Sequence, residues 1–277
     1  MPHPGNITAP ITLLSYGRSG TSLVHNIIGA HPQVEHCGET QPLLFGSWEG
    51  AARCEGVVRP DNTLPAGATH KDRCGRTVRA AFQSMFPDRR ERPFWVHKPI
   101  NVPFTVPEWK RDKAHHMAEI CPWYWEVMEN SFPDGRFLTV LRHPYDVVLS
   151  ALKYWKFNRS HIWRSIVCMA EFIAHEQSPV KHAVSHRRLV IDPEPEIDSL
   201  LDHLRLSRDT ACYAAAKTVY VPHTGRKGGD LASAQAQTAA AFSHRAEWDT
   251  LDKEGFTKRD YKILVEMWAK FGETLEF

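Results

Sequence analysis

Gly17-Arg18-Ser19-Gly20-Thr21-Ser22 concentrates two glycines, three hydroxyls and a guanidinium in six residues. An apolar run, 11–16, precedes it, and apolar residues at 23, 24, 27 and 28 follow on one helical face. A glycine loop entering a helix presents main-chain N–H groups and the positive end of the helix dipole at one point. That makes an anion site, to which Arg18 and the hydroxyls of Ser19, Thr21 and Ser22 add donors. Taken alone, the same residues make an ordinary strand–helix turn equally well. The full phosphate-loop pattern G-x-x-x-x-G-K-[ST] is not met, because Thr21 stands where it needs a lysine after Gly20. ATP or GTP hydrolysis is therefore disfavoured.

A second cluster is Leu141-Arg142-His143-Pro144-Tyr145-Asp146. Arg142 closes the apolar run 137–141, and Ser150 falls about two turns into the helical pattern that follows. A guanidinium can bind a phosphate through two parallel hydrogen bonds, and a serine hydroxyl can add a third. An isolated R-H-P is also a capping loop with a solvated arginine.

The elements that must carry these residues alternate. Short apolar segments at 11–16, 94–97 and 137–141, and one ending at Leu189-Val190-Ile191, read as buried strands. Helical spacing appears at 22–28, 70–86, 113–131 (with Pro122 breaking or kinking it), 145–157, 161–177, 194–204 and 257–277. Residues 41–69, rich in Gly and Pro, read as a long irregular segment, and 222–232 as a polar loop. Such alternation means a parallel sheet covered on both faces. The expected fold is α/β, a three-layer α/β/α sandwich resembling P-loop nucleotide-binding proteins, in one domain spanning 1–277. Ligands of such sheets bind beyond the carboxyl ends of the strands. That rule selects 17–22, 97–99 and 142–150.

Composition narrows the partners. In 277 residues, 34 basic and 32 acidic side chains give a net charge of +2, which argues against a polybasic nucleic-acid binder. No apolar stretch is long enough to span a bilayer, and the first residues lack a secretory pattern, so a cytoplasmic protein without membrane contact is expected. The six cysteines form no C-x-x-C pair and the sixteen histidines no H-E-x-x-H, so no metal is expected.

Together the clusters are far more specific than either alone. Arg18-Ser19-Gly20-Thr21-Ser22-Leu23, followed by Ala30-His31-Pro32 and Cys37-Gly38-Glu39-Thr40, resembles the first motif of the sulfotransferase family, nearest to its tyrosylprotein-type and bacterial members. Phe132-Pro133-Asp134-Gly135-Arg136-Phe137 through Arg142-His143-Pro144 to Ser150 resembles the family's second nucleotide motif, and 184–193 a third. The resemblance implies 3′-phosphoadenosine 5′-phosphosulfate as sulfuryl donor. It implies that the loop 18–22 holds the 5′-phosphosulfate and that Arg142 and Ser150 hold the 3′-phosphate. By the same resemblance Glu39 is the general base and Lys98 stabilises charge at transfer, while His97 is the rival base. His186 stands where the family has an adenine-stacking tyrosine, and Arg187-Arg188 replaces an acidic pair. Arg226-Lys227-Gly228 resembles a further 3′-phosphate clamp of cytosolic members, and a solvated loop reads equally well there. The implied acceptor is a hydroxyl compound, expected to be a small molecule. Its pocket would draw on 42–69 and 99–125, with Phe45, Trp48, Phe104, Trp109, Trp123, Tyr124 and Trp125. Two other readings stay open: a non-catalytic nucleotide-binding protein of the same fold, and a small-molecule phosphotransferase.

Overall fold

The computed structural model describes residues 10–54, 69–86, 92–99, 117–155, 157–217 and 243–277. Five strands form one parallel sheet: β1 (Pro10–Leu13), β2 (Val34–His36), β3 (Phe94–His97), β4 (Arg136–Leu141) and β5 (His182–Ser185). Their spatial order is β2-β3-β1-β4-β5, so the chain goes from β1 to the edge strand β2, returns to place β3 between them, and then builds outward through β4 and β5 on the other side. Ile11 pairs with Val96 of β3 and with Arg136 of β4, and Leu141 pairs with Ser185.

Helices cover both faces. One layer holds α1 (Thr21–Gly29), α7 (His186–Ile191), α8 (Pro193–His203) and α9 (Thr210–Lys217). Val24, Ile27 and Ile28 of α1 pack there with Ile11, Leu13, Val96, Leu138 and Val140 of the sheet. The other layer holds α2 (Gln41–Ala52), α3 (His70–Met85), α4 (Met117–Ser131), α5 (Pro144–Tyr154), α6 (Arg159–Ala174) and α10 (Lys258–Ala269). Its core includes Leu44, Trp48, Phe82, Trp95, Trp125, Phe137 and Phe172. Neighbours along a strand point to opposite layers, as Trp95 and Val96 do, because the side-chain period is two.

Local sequence explains several boundaries. Thr69 and Asp72 form a reciprocal capping box that starts α3, and Thr257 and Asp260 do the same for α10. His143 caps α5, its Nδ1 accepting from the Tyr145 N–H at 3.2 Å, and Pro144 fills the first helical position.

Three expectations need correction. Residues 41–52 are helical, not irregular, with Leu44, Phe45 and Trp48 buried at helical spacing despite Pro42, Gly46 and Gly50. The Thr40 hydroxyl leaves the helix end uncapped because it bonds His97 instead. The last strand is 182–185, and residues 189–191 belong to α7, where Leu189 alone is buried and Ile191 is 66% exposed. The apolar triplet there reads as a strand end, but Ser185 caps a helix at that point by accepting from the Arg188 N–H. Helix α4 runs through Pro122 unbroken, starting at Met117.

Candidate active site

The carboxyl ends of all five strands contribute to one rim. After β1 comes the loop 17–22, after β2 Glu39, after β3 Lys98, after β4 Arg142 and after β5 His186.

The loop is built from two left-handed residues, Arg18 (φ 70°) and Gly20 (φ 95°). Gly20 caps α1 with its carbonyl, which accepts from the Leu23 and Val24 N–H groups at 3.0 and 3.3 Å, and no side chain caps that end. A side chain at Gly20 would run into the ring of His186, whose Cδ2 lies 2.2 Å from where its Cβ would stand. Ser19 and Thr21 are buried, and Ser19 lines a small cavity behind the loop with Arg142 and Tyr16.

Cations surround this helix end. Arg142 Nη1 donates to the Arg18 carbonyl at 2.8 Å, Arg18 Nε donates to Ser150 Oγ at 3.3 Å, and the Arg18 guanidinium lies 4.2 Å over the Tyr154 ring. Lys98 Nζ donates to Ser22 Oγ at 3.0 Å and stands 3.4 Å from Glu39 Oε1. Lys98 is largely buried, whereas the Glu39 side chain is 47% exposed. Burial lowers the pKa of Arg142, with Asp146 opposing and Arg18 adding to the fall. Arg18 is likewise lowered by burial. Burial, with Arg142 adding to it, pushes His186 down to about 3, so its imidazole is neutral at physiological pH. Asp146 is held from its far side by Trp248, whose Nε1 donates to Oδ1 at 2.7 Å. Three cations around a helix N-terminus make an arrangement that can bind a multiply charged anion.

Thus Arg18, Ser19, Gly20, Thr21, Ser22, Arg142, Ser150 and His186 come together on one side of the rim, with Lys98 and Glu39 joined through Ser22. One placement departs from the expectation: the Arg18 side chain points to Ser150, the expected 3′-phosphate partner. Arg226 and Lys227 lie outside the described residues. His97 is fully buried, its Nε2 2.7 Å from the Thr12 hydroxyl and its Nδ1 2.5 Å from the Thr40 hydroxyl. Both ring nitrogens are engaged, so it is a brace between β1, β3 and α2 and not a free base. Among the described residues no group of three or more His, Cys, Asp or Glu is placed to hold a metal, and no helix is long and apolar enough to cross a membrane.

Sequence reading passed over His25. It lies on the buried face of α1 with Val24, Ile27 and Ile28, and a histidine on an apolar stripe is the signal that marks it.

The sequence profile of the sulfotransferase family matches residues 10–210, which include every rim residue described above. The chain belongs to the sulfotransferase family. A comparison with curated proteins finds no match. Among solved structures, this sulfotransferase is similar to the sulfotransferase domain of the Synechococcus PCC 7002 olefin synthase. Identity is 18%, 97% of each chain is covered, and the TM-score is 0.58. It is also similar to the sulfotransferase domain from the curacin biosynthetic pathway, at 15% identity and a TM-score of 0.57, over 98% of this chain and 100% of the other. At such identities the likeness is one of fold, and it agrees with the three-layer architecture of this sulfotransferase.

Proposed function

We propose that this sulfotransferase moves a sulfuryl group from 3′-phosphoadenosine 5′-phosphosulfate to the hydroxyl of a small-molecule acceptor. The observation that carries this reading is the pairing of Glu39 and Lys98 at 3.4 Å, with Lys98 also bonded to Ser22 at the open end of α1. The pair joins a proton acceptor to an anion-binding helix terminus. Residues 18–22 bind the 5′-phosphosulfate through main-chain N–H groups and Lys98. Arg142, with Ser150 and Arg18, binds the 3′-phosphate by charge-assisted hydrogen bonds. The neutral His186 ring, packed against Gly20, is the group that stacks on adenine in this reading.

In the transfer step the acceptor oxygen forms a bond to sulfur as the bond from sulfur to the bridging oxygen of the 5′-phosphate breaks. The electron pair of the broken bond stays with the phosphate. Glu39 takes the acceptor proton. Lys98 offsets charge on the bridging oxygen, where a fixed cation in a desolvated site is most effective. Apart from the proton transfer, catalysis rests on positioning and charge stabilisation.

The test is incubation with the donor and a panel of phenols, alcohols and sterols, read by mass spectrometry for the gain of one SO₃. Adenosine 3′,5′-bisphosphate should appear in equal amount. Bisphosphate binding with no transfer to any acceptor would favour a non-catalytic nucleotide-binding protein. A strict requirement for ATP and magnesium would favour a phosphotransferase.

A further inference from the structure

We infer that His25 is a positioning residue: its ring N–H holds the Cys37 and Val96 carbonyls, and through them fixes the Glu39–Lys98 pair relative to the anion loop. His25 Nε2 lies 3.2 Å from each of these oxygens. Both partners are carbonyls, so Nε2 carries the proton and donates to both. Cys37 stands two residues before Glu39, and Val96 two residues before Lys98. The main chain between the two strand ends is already paired, Cys37 N–H to Val96 O at 2.8 Å and Lys98 N–H to Gly38 O at 3.2 Å. His25 adds the tie that reaches from this ladder to a third element, the helix that begins at the anion loop.

The ring is well held. It is 1% exposed, and the His36 ring packs on it with centroids 3.8 Å apart. His36 in turn bonds Asn26 Oδ1 at 3.1 Å, back on α1. Burial, then His36 and Lys98, push His25 down to about 3. The ring therefore stays neutral, and its one N–H points at the two strand ends. A histidine kept only for packing has no need of two acceptors, each leading directly into one member of a candidate reacting pair.

This inference rests on the reading of Glu39 and Lys98 given above, so its test has two arms. The first needs no turnover. Amide exchange is measured on the wild type, His25→Leu and His25→Gln. Leu removes the donor, and Gln supplies an amide N–H at similar reach. Exchange at 37–40 and 96–98 should rise about tenfold or more in His25→Leu, stay unchanged in α10, and return toward wild type in His25→Gln. Affinity for adenosine 3′,5′-bisphosphate should stay within about threefold in both variants. Unchanged exchange at 37–40, or an equal rise across the whole chain, would overturn the inference.

The second arm uses any acceptor found in the panel and reads the single-turnover rate. His25→Leu should lose roughly 10- to 100-fold, and His25→Gln should recover most of it. Combined with Glu39→Gln, His25→Leu should cost clearly less than it does alone, because the part of its effect that runs through Glu39 is already lost. Additive losses would make His25 merely structural. If the wild type sulfates nothing, or Glu39→Gln is as fast as wild type, the transfer reading fails, while the exchange arm still decides whether His25 braces the two strand ends.

Discussion

Arg142 Nη1 donates to the main-chain carbonyl of Arg18 at 2.8 Å, so the loop after β4 grips the backbone of the loop after β1. One guanidinium is thus placed both to bind an anion and to hold the shape of the neighbouring anion loop. Arg142→Ala should therefore weaken adenosine 3′,5′-bisphosphate by about 2–5 kcal/mol, the cost of leaving a desolvated charge unpaired. Adenosine 5′-phosphosulfate, which lacks the 3′-phosphate, should lose only about 1 kcal/mol, through the slackened loop. Calorimetry with both ligands measures the difference. Equal losses would mean that Arg142 supports the fold without reading the phosphate.

Glu39→Gln keeps the size of the side chain but cannot take a proton. Turnover should fall by roughly 10²- to 10⁴-fold, with bisphosphate affinity changed only slightly. His97→Ala should show the opposite pattern, a loss of stability that outweighs any loss of chemistry, because His97 braces Thr12 and Thr40 inside the core. Initial rates and thermal unfolding on the two variants decide it. Full turnover in Glu39→Gln with none in His97→Ala would reverse the assignment.

Gly75 lies inside α3, where alanine would ordinarily stabilise by about 0.5–1 kcal/mol. A Cβ there would stand 2.1 Å from the main-chain oxygen of Asn130 in α4. Backbone cannot swing aside as a side chain can, so Gly75→Ala should destabilise by about 1–3 kcal/mol. Urea unfolding reads this directly, and a gain in stability would show that α3 and α4 have room to separate.

His25 titrates near 3 in the folded chain and at about 6.5 in an unfolded one. Below pH 6.5 the unfolded state binds a proton that the folded state refuses. Stability is thus full above that pH and falls as the medium is acidified toward the folded value. Between pH 7.5 and 5.5 this one group should remove about 1 kcal/mol. His186, also near 3, and His182, near 4, act in the same direction. Urea titrations at pH 7.5, 6.5 and 5.5 should show the decline, and His25→Gln should make it shallower. A flat profile would mean that the buried rings accept protons without cost.

What could be read from sequence was what neighbouring residues determine among themselves. β1, the glycine loop and α1 are contiguous, and their apolar spacing marks each element, although the apolar run 11–16 overshoots the end of β1 at Leu13. The Arg142 cluster is legible for the same reason, since residues 137–141 are apolar apart from Thr139 and Pro144 starts a helix. β5 was misplaced because His182-Ala183-Val184-Ser185 is weakly apolar and becomes a strand by pairing with β4, a partner far away in the chain. α2 was missed because Pro42, Gly46 and Gly50 outweigh Leu44, Phe45 and Trp48 in local propensity, whereas burial of those three decides the structure. His25 could not be assigned a task, because its acceptors come from two other strands.

A rim supplied by five strands also has a consequence for synthesis. The loop 17–22 is made before β2, β3, β4 and β5, whereas His186, which lies against Gly20, follows all of them. In the nascent chain the loop lacks its cover and the Arg142 grip, so its cations and open helix end are joined into a receptor only when β4 and β5 dock. Ligand capture during refolding should accordingly lag behind the appearance of helical signal, because the last contacts to form link residues far apart in the chain.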